Sequence, residues 1–558
     1  VYFSRRVPTP PAASLAAAAG TDDVVELQRR GAGGGEWRGR RGPAPTDGTM
    51  TIAASHGASP RRDALFAPAT PTSTAALAAT ILVGALAWTW LVRLPLFRLD
   101  CLDDAGYVGL AHFWTRGVLP YARIFDFKPP GLFALVALAQ SAFGPTLESL
   151  RAVSIASDAL AATGLFFLAR RFGRPAVGLF AAALYPILSE IAIGNDAYCP
   201  LAALTILAFL AALSPLSPLR RSVLAGLAIG AAATVKQTAG FEAVALLAIL
   251  TLAPDAAPGR VRAALAFILA AALAPLGFLL YFAWRGAAGA LIADTVVGAL
   301  ARPASASEGL SFAGGLLRFL PLQKGLLPLT GLCVLALVRA RALAAAAPRF
   351  PLGAVWAWFA AACVSVIVQR SFAQSYLGPM LAPALLLAGF CVAQAAPEMA
   401  RIPQWARLGA LALLSLAAAL AAPGVDFVRR QDVPALAAAA RAIEASGPAP
   451  EDRLYVVNRG AWLASMLDLA PPTEYFFPFQ TLCAFPGAGA DGVAQILAAR
   501  PRYIVIADRR LKYACELPES WRLIDQALAG SYRLLARAKG DFDSYDVYEA
   551  LGARRAGG

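Results

Sequence analysis

Apolar runs of about 18 residues or more recur along this chain from Ser73 to Ala422. Such a run matches the hydrocarbon thickness of a bilayer, where only helices or closed barrels satisfy their own backbone hydrogen bonds. Charged residues make up 15% of the 558, against roughly 25% in a soluble domain. The pattern predicts an all-α, polytopic membrane protein.

Spans are expected near 74–95, 149–170, 175–193, 197–214, 222–237, 239–254, 262–284, 322–342, 352–369, 375–396 and 405–423. That is about eleven crossings. One further apolar stretch, between Pro130 and Gly144-Pro145, holds only about 14 residues, or roughly 21 Å of helix. It is short of the roughly 30 Å hydrocarbon core, so a re-entrant or juxtamembrane helix is expected there.

Charge bias supports that choice. With the short helix not crossing, Arg61/Arg62, Arg170/Arg171/Arg174, Arg220/Arg221, Arg260/Arg262, Arg339/Arg341/Arg349 and Arg401/Arg407 fall on one side. That side is cytoplasmic by the positive-inside rule. The loop 96–148, the turn Gly194-Asn195-Asp196, the segment 285–321, the turn Gln369–Pro379 and the tail from Pro423 then lie outside. The same distribution accounts for the net charge of +14 without nucleic acid, since no Gly-rich phosphate loop or basic helix with interleaved aromatics occurs.

Residues 1–70 are rich in Gly, Pro, Ala and Arg and read as disordered, and Met50 opens an alternative start. Residues 1–49 are accordingly read as upstream sequence. The membrane domain is expected over 71–423. Residues 424–558 read as a small extracytoplasmic α/β domain: a helix at 433–446, strands at Leu454–Val457 and Tyr503–Ile506, a helix near 490–499, and β signal at Tyr532–Leu535 and Tyr545–Tyr548. It is expected to be an appendage without catalytic residues. Cys483 and Cys515 fall in it and are able to pair in an oxidising compartment.

Polar groups beside the membrane need partners or a ligand, because desolvating them is costly. They concentrate between Asp103 and Pro130. Asp103 and Asp104 are adjacent, so on a helix they point about 100° apart. Tyr107 shares the face of Asp103, and Gly106 would leave that face open. A partly desolvated carboxylate suits a general base, while a helix N-terminus equally favours acidic residues. Lys128-Pro129-Pro130 holds a cation at the entrance of the next helix, fit for a phosphate or for simple interfacial snorkelling. His112 reads as an interfacial side chain. Lys236-Gln237 and the turn Arg370–Pro379, with Gln374 and Tyr376, add further polar groups on the same outer side. No Cys/His cluster has metal-ligand spacing, and neither metal nor cofactor is expected.

Taken together, Asp103-Asp104-Ala-Gly-Tyr107, Phe127-Lys128-Pro129-Pro130, Phe143-Gly144, Leu150-Arg151 and Tyr376-Leu-Gly-Pro379 resemble motifs of the GT-C superfamily of polyprenyl-phosphate-sugar glycosyltransferases. The nearest branch comprises bacterial protein mannosyltransferases, aminoarabinose lipid A transferases and rhizobial galacturonosyltransferases. The resemblance covers roughly residues 75–425. It implies that Asp103, with Asp104 beside it, is the catalytic carboxylate. It implies that Lys128 and Arg370 contact the lipid phosphate or sugar, and that Tyr107, Lys236, Gln374, Tyr376 and Asp196 line the donor site. Asp104 stands where the branch has Glu, and Gln374 where many relatives carry His.

The implied reaction is inverting transfer of a hexose or pentose from a polyprenyl-phosphate donor to lipid A, a polysaccharide or a protein, at the outer face of the bacterial cytoplasmic membrane. Two other classes compete: a polytopic transporter or lipid flippase, and a catalytically degenerate scaffold of envelope assembly. A transporter would favour inverted repeats and midplane charges, and neither is evident in the sequence.

Overall fold

The computed structural model describes residues 71–93, 102–252, 259–301, 326–346, 350–369, 374–394, 401–421, 433–483, 488–507, 516–540 and 544–552. The expected disorder at 1–70 and the residues Arg370 and Cys515 lie outside them.

Nine helices lead the described chain: α1 (Pro71–Arg93), α2 (Leu102–Thr115), α3 (Gly131–Phe143), α4 (Leu147–Arg171), α5 (Pro175–Leu188), α6 (Tyr198–Ala212), α7 (Pro218–Val235), α8 (Ala239–Leu252) and α9 (Arg260–Trp284). Leu327–Val338, Leu352–Gln369, Gly378–Ala393 and Gln404–Leu420 continue the apolar bundle. A helix therefore stands at each expected span. Among the described residues, six helical segments are long and apolar enough to cross a membrane, and six more are shorter apolar helices. Within 285–321, Ala288–Ile292 and Ala299–Ala301 are α-helical and flank a π-helical turn, Ala293–Gly298.

Local chemistry sets these boundaries. Between α4 and α5, Gly173 takes the left-handed conformation at φ 72°, and Pro175 then occupies the first turn of α5. Small residues let helices approach. A Cβ at Gly230 would lie 2.2 Å from the Ala271 carbonyl oxygen and one at Gly226 2.5 Å from that of Phe267. Gly226-x-x-x-Gly230 is thus the seam between α7 and α9. On the outside of the bundle, Val83, Leu269, Leu273 and Leu280 stay exposed, as lipid-facing positions should.

The C-terminal region is the expected small α/β module. Its strands are β1 (Leu454–Val456), β2 (Tyr503–Ala507), β3 (Tyr532–Lys539) and β4 (Ser544–Ala550), in the order β1-β2-β4-β3. β1 and β2 are parallel, and the other pairs are antiparallel. Strand alternation divides the core in two. Tyr503, Val505 and Ala507 join the cluster that runs back into the membrane helices, while Ile504 and Ile506 join a second cluster with Val493 and Ile524. The amphipathic helix Pro518–Ser531, which pattern reading did not assign, backs this sheet.

Candidate active site

The helix α2 is buried along 104–113, far more than an external loop would be. Its first turn separates the two aspartates. Asp104 is 7% exposed, whereas Asp103 is half-buried. The Asp103 Oδ2 accepts long hydrogen bonds from the Tyr107 hydroxyl at 3.3 Å and the Asn195 amide at 3.5 Å.

The face that Gly106 was expected to leave open is filled. A Cβ at Gly106 would come within 1.9 Å of the Phe477 ring, and one at Gly109 within 2.5 Å of Phe476. Only glycine tolerates this approach. The C-terminal region is also fastened to this part of the chain by polar contacts. Phe125 N–H donates to the Glu474 carbonyl (2.9 Å), and Trp462 Nε1 donates to that of Pro145 (3.1 Å). His112 Nε2 meets Asp468 Oδ1 at 2.8 Å, so this histidine joins two segments of the fold and is more than an interfacial side chain.

Lys128 is held by its own loop. Tyr121 adopts φ 65°, a strained choice for a bulky residue. Its hydroxyl donates to the Lys128 carbonyl at 2.8 Å. Burial, with Asp126 and Asp294 nearby, pushes the Tyr121 phenol well above its ordinary pKa, so it remains a donor. The Lys128 backbone N–H donates to Asp126 Oδ1 at 2.7 Å. The Lys128 side chain is 12% exposed and its Nζ lies 3.7 Å from the same carboxylate oxygen. The ammonium sits 4.6 Å from the ring centroid of Phe127 and 5.0 Å from those of Tyr107 and Phe477. It is caged by aromatic faces and does not snorkel into water.

A second wall comes from the turn after α7. Gln237 Nε2 donates to the carbonyls of Phe127 (2.6 Å) and Thr295 (2.9 Å). Next to it, Lys236 donates to the Tyr198 hydroxyl and stands 4.5 Å from the Tyr376 ring centroid. Tyr376 in turn lies 6.2 Å from Tyr198, ring to ring. Tyr198 and Asn195 share one turn, since the Tyr198 N–H donates to the Asn195 carbonyl at 3.1 Å. Contacts, together with the peptide link between Lys236 and Gln237, therefore run in a closed circuit: Asp103, Tyr107, Lys128, Phe127, Gln237, Lys236, Tyr198, Asn195 and back to Asp103. A carboxylate, phenols and two ammonium groups are linked in this way, the set required to hold a phosphate and accept a proton.

Among the residues expected in the site, Asp103, Tyr107, Lys128 and Lys236 are on this circuit, and Tyr376 flanks it beside Lys236 and Tyr198. Gln374 opens the 3-10 turn Gln374–Leu377. Asp196 lies one residue from Asn195 and ion-pairs with Arg93 at 2.7 Å. Pattern reading missed Phe477, Asn195 and Arg93. An arginine closing an otherwise apolar span was the available signal for the last. Among the described residues, no group of three or more His, Cys, Asp or Glu side chains is arranged to hold a metal ion.

Residues 127–284 match the family model described as dolichyl-phosphate-mannose-protein mannosyltransferase. That segment carries Lys128, the 194–198 turn and Lys236. No curated protein matches the chain. Among solved structures, ArnT from Cupriavidus metallidurans bound to undecaprenyl phosphate is similar with a TM-score of 0.56 and 16% identity, over 84% of this chain and 97% of that one. Its apo state gives 0.55 and 15%, over 85% and 98%. At such identity the likeness establishes the fold.

Proposed function

We propose that this chain, which has the GT-C glycosyltransferase fold, transfers a sugar from a polyprenyl-phosphate donor to an envelope acceptor at the outer face of the bacterial cytoplasmic membrane. The observation that carries this reading is the circuit joining a half-buried carboxylate, Asp103, to two caged lysines. The ArnT structure is bound to undecaprenyl phosphate, which supports a lipid phosphate as the leaving group here. Cys483 is disulfide-bonded, in keeping with an oxidising, extracytoplasmic compartment for the C-terminal region.

In this mechanism the acceptor hydroxyl attacks the anomeric carbon as its proton passes to Asp103. The carbon–oxygen bond to phosphate breaks and the configuration inverts. Lys128 and Lys236 stabilise the departing lipid phosphate, whose negative charge grows as the bond breaks. Tyr107 and Asn195 orient the base. Arg370, Gln374 and Tyr376 are assigned to the sugar and phosphate side, with Asp104 supporting Asp103. The acceptor is lipid A, a polysaccharide or a protein.

The test is transfer by purified protein in lipid nanodiscs, supplied with undecaprenyl-phosphate sugars and envelope acceptors. Asp103→Asn should fold, insert and lose turnover. Near-normal transfer by that variant overturns the assignment of the base.

A further inference from the structure

The helix α1 is a lipid-facing helix that ends in a buried charge. Among its described side chains only Thr89 and Arg93, one turn apart, are buried. The Arg93 guanidinium meets carboxylates from three separate places: Asp158 of α4 at 2.8 Å, Glu190 at 3.0 Å and Asp196 at 2.7 Å. Cys199 Sγ lies 3.2 Å away, and Ser189 donates to the second oxygen of Asp158 at 3.3 Å. Anchoring α1 would take one partner, and burying several charges together is costly. The arrangement therefore calls for a further role.

The location of Asp196 supplies one. It follows the π-helical turn Ser189–Ile193 and the left-handed Gly194, at φ 59°. Here the Gly194 N–H closes on the Ser189 carbonyl at 3.0 Å, so the chain departs from α-helical bonding as it enters the turn, and π-turns of this kind are frequent at functional sites. Asn195 occupies the middle of the turn, its Oδ1 accepting from the Ala197 N–H at 3.1 Å and its amide reaching toward Asp103.

We infer that Arg93 is a positioning residue: its planar fork fixes Asp196 and thereby aims the Asn195 amide at the Asp103 carboxylate. This rests on the assignment of Asp103 as the base. With one oxygen held by Asn195 and Tyr107, the other is directed to the acceptor hydroxyl. A lysine carries its donors on one nitrogen and lacks the planar fork whose Nη1 here serves Glu190 and Asp196 while Nη2 serves Asp158.

Arg93→Met alone strands three carboxylates and is prone to misfold. The informative variant is Arg93→Met/Asp158→Asn/Glu190→Gln, compared with Asp158→Asn/Glu190→Gln, which keeps the Arg93–Asp196 pair. Two readouts are needed. The first is turnover in nanodiscs with an undecaprenyl-phosphate sugar. The pair-retaining variant should stay close to wild type. The triple variant should lose kcat by on the order of 100-fold, the scale of a misplaced catalytic group, with donor KM little changed. The second readout is independent of chemistry: the rate at which a short bis-maleimide bridges cysteines placed at Asp103 and Asn195, corrected with the single-cysteine controls. It should drop several-fold when Arg93 is removed and hold when only Asp158 and Glu190 are neutralised.

An unchanged bridging rate in the triple variant overturns the inference, whatever the turnover. A reduced rate with unchanged kcat also overturns it. A reduced rate in a protein whose wild type transfers no sugar leaves the Arg93 clamp standing and removes the glycosyl-transfer reading instead.

Discussion

The ring of Phe477 lies with its centroid 5.0 Å from the Lys128 ammonium, and the two residues are separated by most of the chain. The same ring seals the face of α2 at Gly106. The C-terminal region is thus part of the wall around Lys128, a closer involvement than that of an appendage.

Replacing Phe477 with leucine keeps apolar bulk and removes the π face. A desolvated cation–π contact is worth about 0.5–2 kcal/mol, so donor affinity should shift by roughly 2–30-fold. Because the ring fixes the ammonium and does not take part in bond breaking, kcat should move less. Titrating undecaprenyl phosphate into both proteins checks this.

Gly106→Ala tests the docking itself. The added methyl would stand 1.9 Å from Phe477 Cε1, and overpacking of this kind costs about 1–3 kcal/mol. The expected result is a lower Tm, with faster proteolysis of the C-terminal region while the bundle stays intact. Pairing it with Phe477→Leu should return part of the loss.

Tyr121→Phe leaves the ring against Phe282, 5.3 Å away, and deletes the hydrogen bond to the Lys128 carbonyl. A lost hydrogen bond of this type costs about 1 kcal/mol. The loop carrying Lys128 should become more mobile, visible as faster hydrogen exchange over 119–128, with a modest rise in donor KM.

Acid should loosen the sheet through Glu549. Burial pushes its carboxyl up, but Arg533 at 2.8 Å and Arg502 at 3.1 Å outweigh burial and hold it below the usual range. A carboxyl depressed in the folded state adds stability above its unfolded pKa of about 4.3. That stability is lost as pH falls through the folded value. Hydrogen-exchange protection factors in β3 and β4, corrected for the slower intrinsic exchange in acid, should fall as pH is lowered from 7, and Glu549→Gln should flatten the dependence.

The membrane helices were legible because their signals are local. Run length, flanking arginines, and Pro175 and Pro218 at helix starts act within a few residues of the structure they specify. Strands β1 to β4 were legible for the same reason, through β-branched and aromatic alternation. Asp103, Tyr107 and Lys128 also stood out, being polar groups in one short stretch beside apolar spans. The helix Pro518–Ser531 escaped because its mixed, weakly apolar composition resembles a loop until its buried face, with Ile524, meets the sheet.

What the sequence by itself determined is where the long apolar helices run, which polar residues crowd the stretch beside them, and which local elements form. Which of those residues meet was decided only by tertiary structure. Asn195 reaches Asp103 across 92 positions, His112 reaches Asp468 across 356, and Arg93 gathers three carboxylates from separate elements. No periodicity encodes such encounters. They arise from the packing of whole helices and the docking of the C-terminal region, where close approach at Gly106 and the need to neutralise buried charge select a single arrangement.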